Sequence, residues 1–230
     1  MIEVKREIKR PNFILISIIT ILNTLMLIRV ISTFHFHRIV THETIWSFFL
    51  SSFYLIFIFI CDSNLYLFNS TKLEKFNSFI RNSYSIIAYS FCYSITIEFW
   101  SILFFGLKFG KNPFSEKKSV PLPFFLEALY LHFGITIIML IDLFLTKRKI
   151  ENKRILLIIN IIYLCYSIVV LVTNYIFFMP AYPFMKNAGV ELMILIFIIS
   201  LILINSCYFL HLFLVLKLNN EKNIYNKKIS

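Results

Sequence analysis

Glycine, charge and cysteine are scarce in this chain. Only 4 of its 230 residues are glycine and 15% are charged. No glycine-rich phosphate loop is present, and neither an HExxH nor a GxSxG signature occurs. The 4 cysteines, Cys61, Cys92, Cys165 and Cys207, lie inside or at the ends of apolar runs. That placement excludes a disulfide framework and a zinc-type cysteine pattern. No internal repeat is visible, which argues against the duplicated architecture of many transporters.

What the chain has in abundance is apolar surface: 59% hydrophobic residues, 18% aromatic and a mean hydropathy of +0.79. These values lie far outside the range of soluble domains. Six thick apolar runs alternate with charged breaks, at about Asn12 to Val30, Thr44 to Cys61, Tyr84 to Phe105, Pro121 to Leu145, Ile155 to Phe178 and Val190 to Leu216. Helices satisfy their own backbones in lipid. The sequence therefore predicts an all-α membrane protein, a six-transmembrane-helix bundle forming one domain over residues 1–230. The connections leave no room for a soluble catalytic domain, so any chemistry must lie in the membrane. The first run follows a basic segment but is long and lacks a small-residue cleavage site, and it reads as a retained helix.

The net charge of +11 does not mark a nucleic-acid binder, because of where the charge sits. Of the 23 Lys and Arg residues, 16 fall in the N-terminal tail, the second and fourth connections and the C-terminal stretch, and 7 fall on the other side. The positive-inside rule then places both termini in the cytoplasm. The excess is orientation signal and contact with anionic lipid.

Polar residues inside the runs are the candidates for function. The 22-residue stretch from Phe124 to Leu145 carries His132 near its middle. An ionisable side chain at that depth faces the bundle interior and marks function; the plainer alternative is a neutral imidazole hydrogen-bonded to a neighbouring helix. In helix two, Thr44, Ser47, Ser51 and Asp62 share one face, and hydroxyls so placed more often join helices than attack substrates. In helix three, Ser90, Ser94, Glu98 and Ser101 form another stripe, and Glu98 must be protonated, paired or functional. Asp142 reads as an interfacial carboxylate near Lys147 and Arg148. His35, His37 and His42 lack a carboxylate or cysteine to complete a ligand set and read as a solvated loop. Neither a metal nor another cofactor is expected.

Depth brings some of these together. Thr44 lies 18 residues from Asp62 and His132 lies 15 residues from Lys147, roughly 27 Å and 22 Å along their helices. Glu98, 14 residues from Tyr84, falls at roughly 21 Å. A hydroxyl, a base and an acid at one level in the outer half of the membrane are what covalent ester hydrolysis requires, provided the helices are neighbours.

These residues resemble those of the androgen-induced gene family, which includes the androgen-dependent TFPI-regulating protein. Three landmarks carry the resemblance: Glu43-Thr44-Ile45-Trp46 opening a helix that ends in Asp62, His132 through Asp142 after a helix bearing Phe99-Trp100, and Tyr182-Pro183-Phe184-Met185. Here Glu43 replaces an apolar residue of the family, and no proline follows His132 within His132-Phe133-Gly134-Ile135. The resemblance implies an intramembrane hydrolase of fatty-acid esters of hydroxy fatty acids, with Thr44 as nucleophile and His132 as base. It assigns no role to Glu98, which depth alone offers as a support for His132. Ser47, one turn from Thr44, is the candidate oxyanion donor, and Arg38 and Lys186 are candidates for the free carboxylate of the substrate. The lipid would enter sideways from the bilayer. The alternatives are a non-catalytic regulator or scaffold of the same fold and a small transporter. Lys227 and Lys228 resemble a dilysine signal for the endoplasmic reticulum, and the sequon Asn69-Ser70-Thr71 is expected to stay unmodified on the cytoplasmic side.

Overall fold

The computed structural model describes residues 10–33, 41–68, 72–108, 122–146, 154–179, 185 and 189–229. Among them every regular element is helical. Helix α1 spans Arg10–Thr33 and α2 spans Glu43–Phe68. Helix α3 consists of Glu74–Phe79, a π-helical turn at Ile80–Tyr84 and Ser85–Lys108. Helix α4 is built the same way, from Leu122–Leu129, a π-helical turn at Tyr130–Gly134 and Ile135–Leu145. Helices α5 and α6 span Ile155–Tyr175 and Val190–Ile229. The six expected helices are present, and five stretches among the described residues are long and apolar enough to cross a membrane. The protein is a multi-span membrane protein.

Several boundaries differ from the apolar runs, for physical reasons. Helix α2 continues past Asp62 to Phe68, and α3 starts at Glu74 rather than near Tyr84. The extra turns hold charges that pair with each other, so they need not be apolar. At the other extreme α5 stops at Tyr175, short of Phe178, which adopts a left-handed φ of 52°.

Helix α3 is the hub, packing against α2, α4, α5 and α6. One face of α3 contributes Tyr89, Cys92 and Tyr93 to a core shared with Phe48, Tyr54, Ile58 and Met139 of α2 and α4. The opposite face contributes Ile86, Ile87 and Phe91 to a second core with Ile159, Tyr163, Met193 and Ile204 of α5 and α6. Helix α1 packs against α2 and α4 and leaves Ile14, Ile18, Ile21, Leu22, Leu25 and Ile28 exposed, as a lipid-facing stripe requires. Near its C-terminal end Arg29 pairs with Glu127 of α4 at 3.2 Å.

The hydroxyls do less interhelical joining than their stripes suggest. Thr20, Ser52, Ser90 and Ser167 each donate to the carbonyl four residues earlier in their own helix, at 2.7 to 2.9 Å. That bond is always within reach and satisfies the hydroxyl in an apolar setting. A charged knot also ties the helices, at the end of the bundle where α1 begins. Arg81 Nη2 donates to both oxygens of Asp62 at 2.7 and 2.6 Å, and Arg81 Nε donates to Asn77 Oδ1 at 2.9 Å. Arg81 Nη1 lies 3.9 Å from Asp142 Oδ1, and the Tyr54 hydroxyl donates to Asp142 Oδ2 at 2.5 Å. Asp142 is therefore a buried member of this knot; Lys147 and Arg148, which the sequence places near it, lie outside the described residues. So do Arg38, Lys186, His35, His37, Tyr182, Pro183, Phe184 and the Asn69-Ser70-Thr71 sequon, as do the side chains of Lys227 and Lys228.

Candidate functional site

The first turn of α2 is closed by its preceding residue, because the His42 carbonyl accepts from the backbone of Ile45 at 3.0 Å and of Trp46 at 3.2 Å. It is also pinned to α5. The Tyr166 hydroxyl donates to the Thr41 carbonyl at 3.0 Å, and its ring meets Trp46 edge-on at 5.6 Å. These contacts hold Glu43 and Thr44 in buried positions. One turn on, Ser47 and Ser51 face Cys92 of α3, with Oγ to Sγ distances of 3.7 and 2.7 Å.

His132 occupies the middle of the π-helical turn in α4. Such a turn carries one more residue than the α-helix and is often found at functional sites. Here it is supported from outside. The Thr96 hydroxyl of α3 donates to the His132 carbonyl at 2.5 Å and lies 2.7 Å from the Thr136 hydroxyl, which in turn reaches the Cys92 carbonyl at 3.1 Å. Two hydroxyl protons cannot serve three contacts at once, so the Thr136 proton is shared between Thr96 and Cys92. Gly134 closes the turn against Tyr130: a Cβ at this position would stand 2.9 Å from the Tyr130 ring. That ring is itself held, by a hydrogen bond from its hydroxyl to Asn23 at 3.0 Å and an edge contact with Phe48 at 6.2 Å.

The imidazole of His132 stacks on Phe99, with centroids 4.1 Å apart and planes 12° from parallel. Its Nδ1 is buried with no hydrogen-bond partner among the described residues. The structure brings the opening of α2 against the π-helical turn of α4 through Phe48 and Tyr130. Thr44 thus stands one helical turn from the residue that touches this turn. No hydrogen bond joins Thr44 directly to His132. His42 lies within electrostatic range of His132, and its ring stands 3.4 Å from the Thr41 hydroxyl.

Glu98 lies within electrostatic range of Glu43 and beside the Ser200 hydroxyl, and Tyr163 lies within range of both carboxyls. Ser47 is fully buried against Cys92. Among the described residues no group of three or more His, Cys, Asp or Glu is arranged to hold a metal.

Reading the sequence missed Thr96, quoted Phe99 only as a landmark of the resemblance and took His42 for a loop residue. A signal for the first two existed. Cys92, Thr96 and Phe99 are spaced i, i+4 and i+7, one face of one helix, though nothing in the spacing says that this face meets His132.

A family model described as FAR-17a/AIG1-like protein matches residues 16–216 of the chain. No curated protein and no solved structure matches it.

Proposed function

Because the chain belongs to the FAR-17a/AIG1-like family, we propose that it is an intramembrane lipid ester hydrolase in which Thr44 is the nucleophile and His132 the general base. The observation that carries this reading is the packing of the α2 opening, which bears Thr44, against the π-helical turn that presents His132. The ring of His132 is fixed by Phe99 and its backbone by Thr96, leaving a buried ring nitrogen available to a reacting group.

The Thr44 hydroxyl attacks the ester carbonyl while His132 takes its proton, and the tetrahedral centre collapses as His132 returns that proton to the leaving alcohol. Water then attacks the acyl group on Thr44 with His132 again as base, releasing a fatty acid and restoring the hydroxyl. Fatty-acid esters of hydroxy fatty acids are the substrate class that the resemblance implies. Such a lipid can enter sideways between helices whose outer faces are apolar. Arg38 and Lys186 are proposed to meet its free carboxylate, and the distribution of Lys and Arg supports cytoplasmic termini. Ser47 remains the proposed oxyanion donor because it is one turn from Thr44 and buried.

A fluorophosphonate probe tests the mechanism. Covalent labelling of detergent-solubilised protein that disappears in Thr44→Ala supports it. Unchanged labelling of that variant refutes Thr44 as the nucleophile, and substrate flux in vesicles without labelling would establish a transporter instead.

A further inference from the structure

Four rings connect the imidazole of His132 with the lipid-facing surface. Its stack on Phe99, with centroids 4.1 Å apart, forms the inner layer of the seam between α3 and α4. The next residue on each helix supplies an outer layer: Trp100 meets Phe133 edge-on at 6.1 Å, and Phe99 meets Trp100 edge-on at 5.7 Å. Trp100 is 42% exposed and Phe133 38%, so this layer faces the hydrocarbon, and Ile97 and Ile137 continue the exposed apolar surface beside it. The Nδ1 atom of His132 is buried, with no hydrogen-bond partner among the described residues.

The seam on the opposite side of α4 is tied by directional bonds. Toward α1, the Tyr130 hydroxyl donates to Asn23 at 3.0 Å and Arg29 to Glu127 at 3.2 Å. The α3–α4 seam has such bonds only at its floor, where Thr96 holds the His132 carbonyl and lies 2.7 Å from the Thr136 hydroxyl. One turn further along α3 the described contacts across it are between rings. Rings can part and close again without stranding a buried donor or acceptor, the event that makes opening a polar seam costly.

We propose that the α3–α4 seam at Trp100 and Phe133 is the entrance from the bilayer to His132, and that an acyl chain of the lipid ester occupies it. The inference rests on the hydrolase reading above and names the route and the contact residues of its substrate. An acyl chain is the occupant because the seam opens on hydrocarbon and its lips are indole, phenyl and branched aliphatic groups without charge. Trp100 and Phe133 hold the methylenes of the chain, and the ester lies deeper, toward His132. Aromatic residues at a bilayer surface also serve as plain anchors. An anchor touches every lipid alike, whereas an entrance binds one ester saturably.

Trp46 and Trp100 are the two tryptophans of the chain, so Trp46→Phe leaves Trp100 as the single indole. With Thr44→Ala added to stop turnover, this protein in detergent is titrated with an ester of dibromostearic and hydroxystearic acids, whose bromines quench indole emission. Saturable quenching that the unbrominated ester reverses is expected. Absent quenching, or quenching that rises without saturation or competition, overturns the entrance. In the otherwise wild-type protein, Trp100→Ala and Phe133→Ala should each raise KM for the unbrominated ester about three- to tenfold, the worth of one aromatic contact, with kcat unchanged. Trp100→Phe should recover most of the loss. Fluorophosphonate labelling of Thr44 and turnover of p-nitrophenyl acetate, which carries no long chain, should stay at wild-type rates in all three. An equal loss toward the short and the long ester would reduce Trp100 and Phe133 to packing around His132 and overturn the entrance. Failure of the wild-type protein to label at Thr44 would remove the hydrolase reading, and the quenching titration would then decide by itself whether a lipid ester binds at the seam.

Discussion

Replacing Arg81 by methionine tests the account of what holds the bundle together. The side chain makes three hydrogen bonds, two to Asp62 and one to Asn77, and approaches Asp142 at 3.9 Å. The side chains of Arg81, Asp62 and Asp142 are 9%, 2% and 6% exposed, so water cannot replace the lost partner. Asp142 would keep Tyr54, and Asp62 would lose both hydrogen bonds it accepts from Arg81. Breaking a buried pair from one side costs about 3–5 kcal/mol. At about 2–4 °C per kcal/mol for a chain of this size, that is a fall in Tm on the order of 10 °C. Removing both partners also removes the buried carboxylate that lost its guanidinium, so Asp62→Leu combined with Arg81→Met should be more stable than Arg81→Met alone, by about 2 kcal/mol. Fluorescence-detected unfolding in detergent measures all three variants. If the two single losses simply add in the double variant, the ion pair is not the cohesive element described here.

Thr44→Ala and His132→Ala should each abolish ester hydrolysis while moving Tm little, and near wild-type turnover in either would refute the mechanism. Thr96→Val keeps the shape of the side chain but removes the donor to the His132 carbonyl; turnover should fall up to about tenfold with KM unchanged, Thr96→Ser should recover it, and equal rates in both variants would deny Thr96 a positioning role. Gly134→Ala forces a methyl against a Tyr130 ring already held by Asn23 and Phe48; a loss of about 1–3 kcal/mol in unfolding experiments is expected, and a neutral result would show that the ring yields freely. With cytoplasmic termini, Asn69 should carry no glycan after expression in a eukaryotic cell, and an endoglycosidase-sensitive mass shift lost in Asn69→Gln would invert the topology.

The resemblance carried by Thr44, His132 and their neighbours led to the family that the match over residues 16–216 shows. The helices themselves were legible because each apolar run must satisfy its own backbone in lipid, a requirement that involves no other part of the chain. Height along a helix follows from counting within one segment, and the structure adds that α2 packs against the π-helical turn of α4 that carries His132. The two π-helical turns were not legible. Each carries a residue held by groups elsewhere in the chain, the His132 carbonyl by the Thr96 hydroxyl and the Arg81 side chain by Asp62.

Which polar residues meet was settled only by tertiary structure. Counting along helices put Glu98 at the level of His132, yet the rotation of α3 turns Glu98 toward Glu43 and Ser200 and gives Phe99 and Thr96 to the histidine. Local charge pointed from Asp142 only to its chain neighbours, and packing adds Arg81 and Tyr54 from two other helices. Periodicity within one segment determines which residues share a face and at what height. The partner of that face is decided by how six helices fill the space between them, and no single segment contains that information.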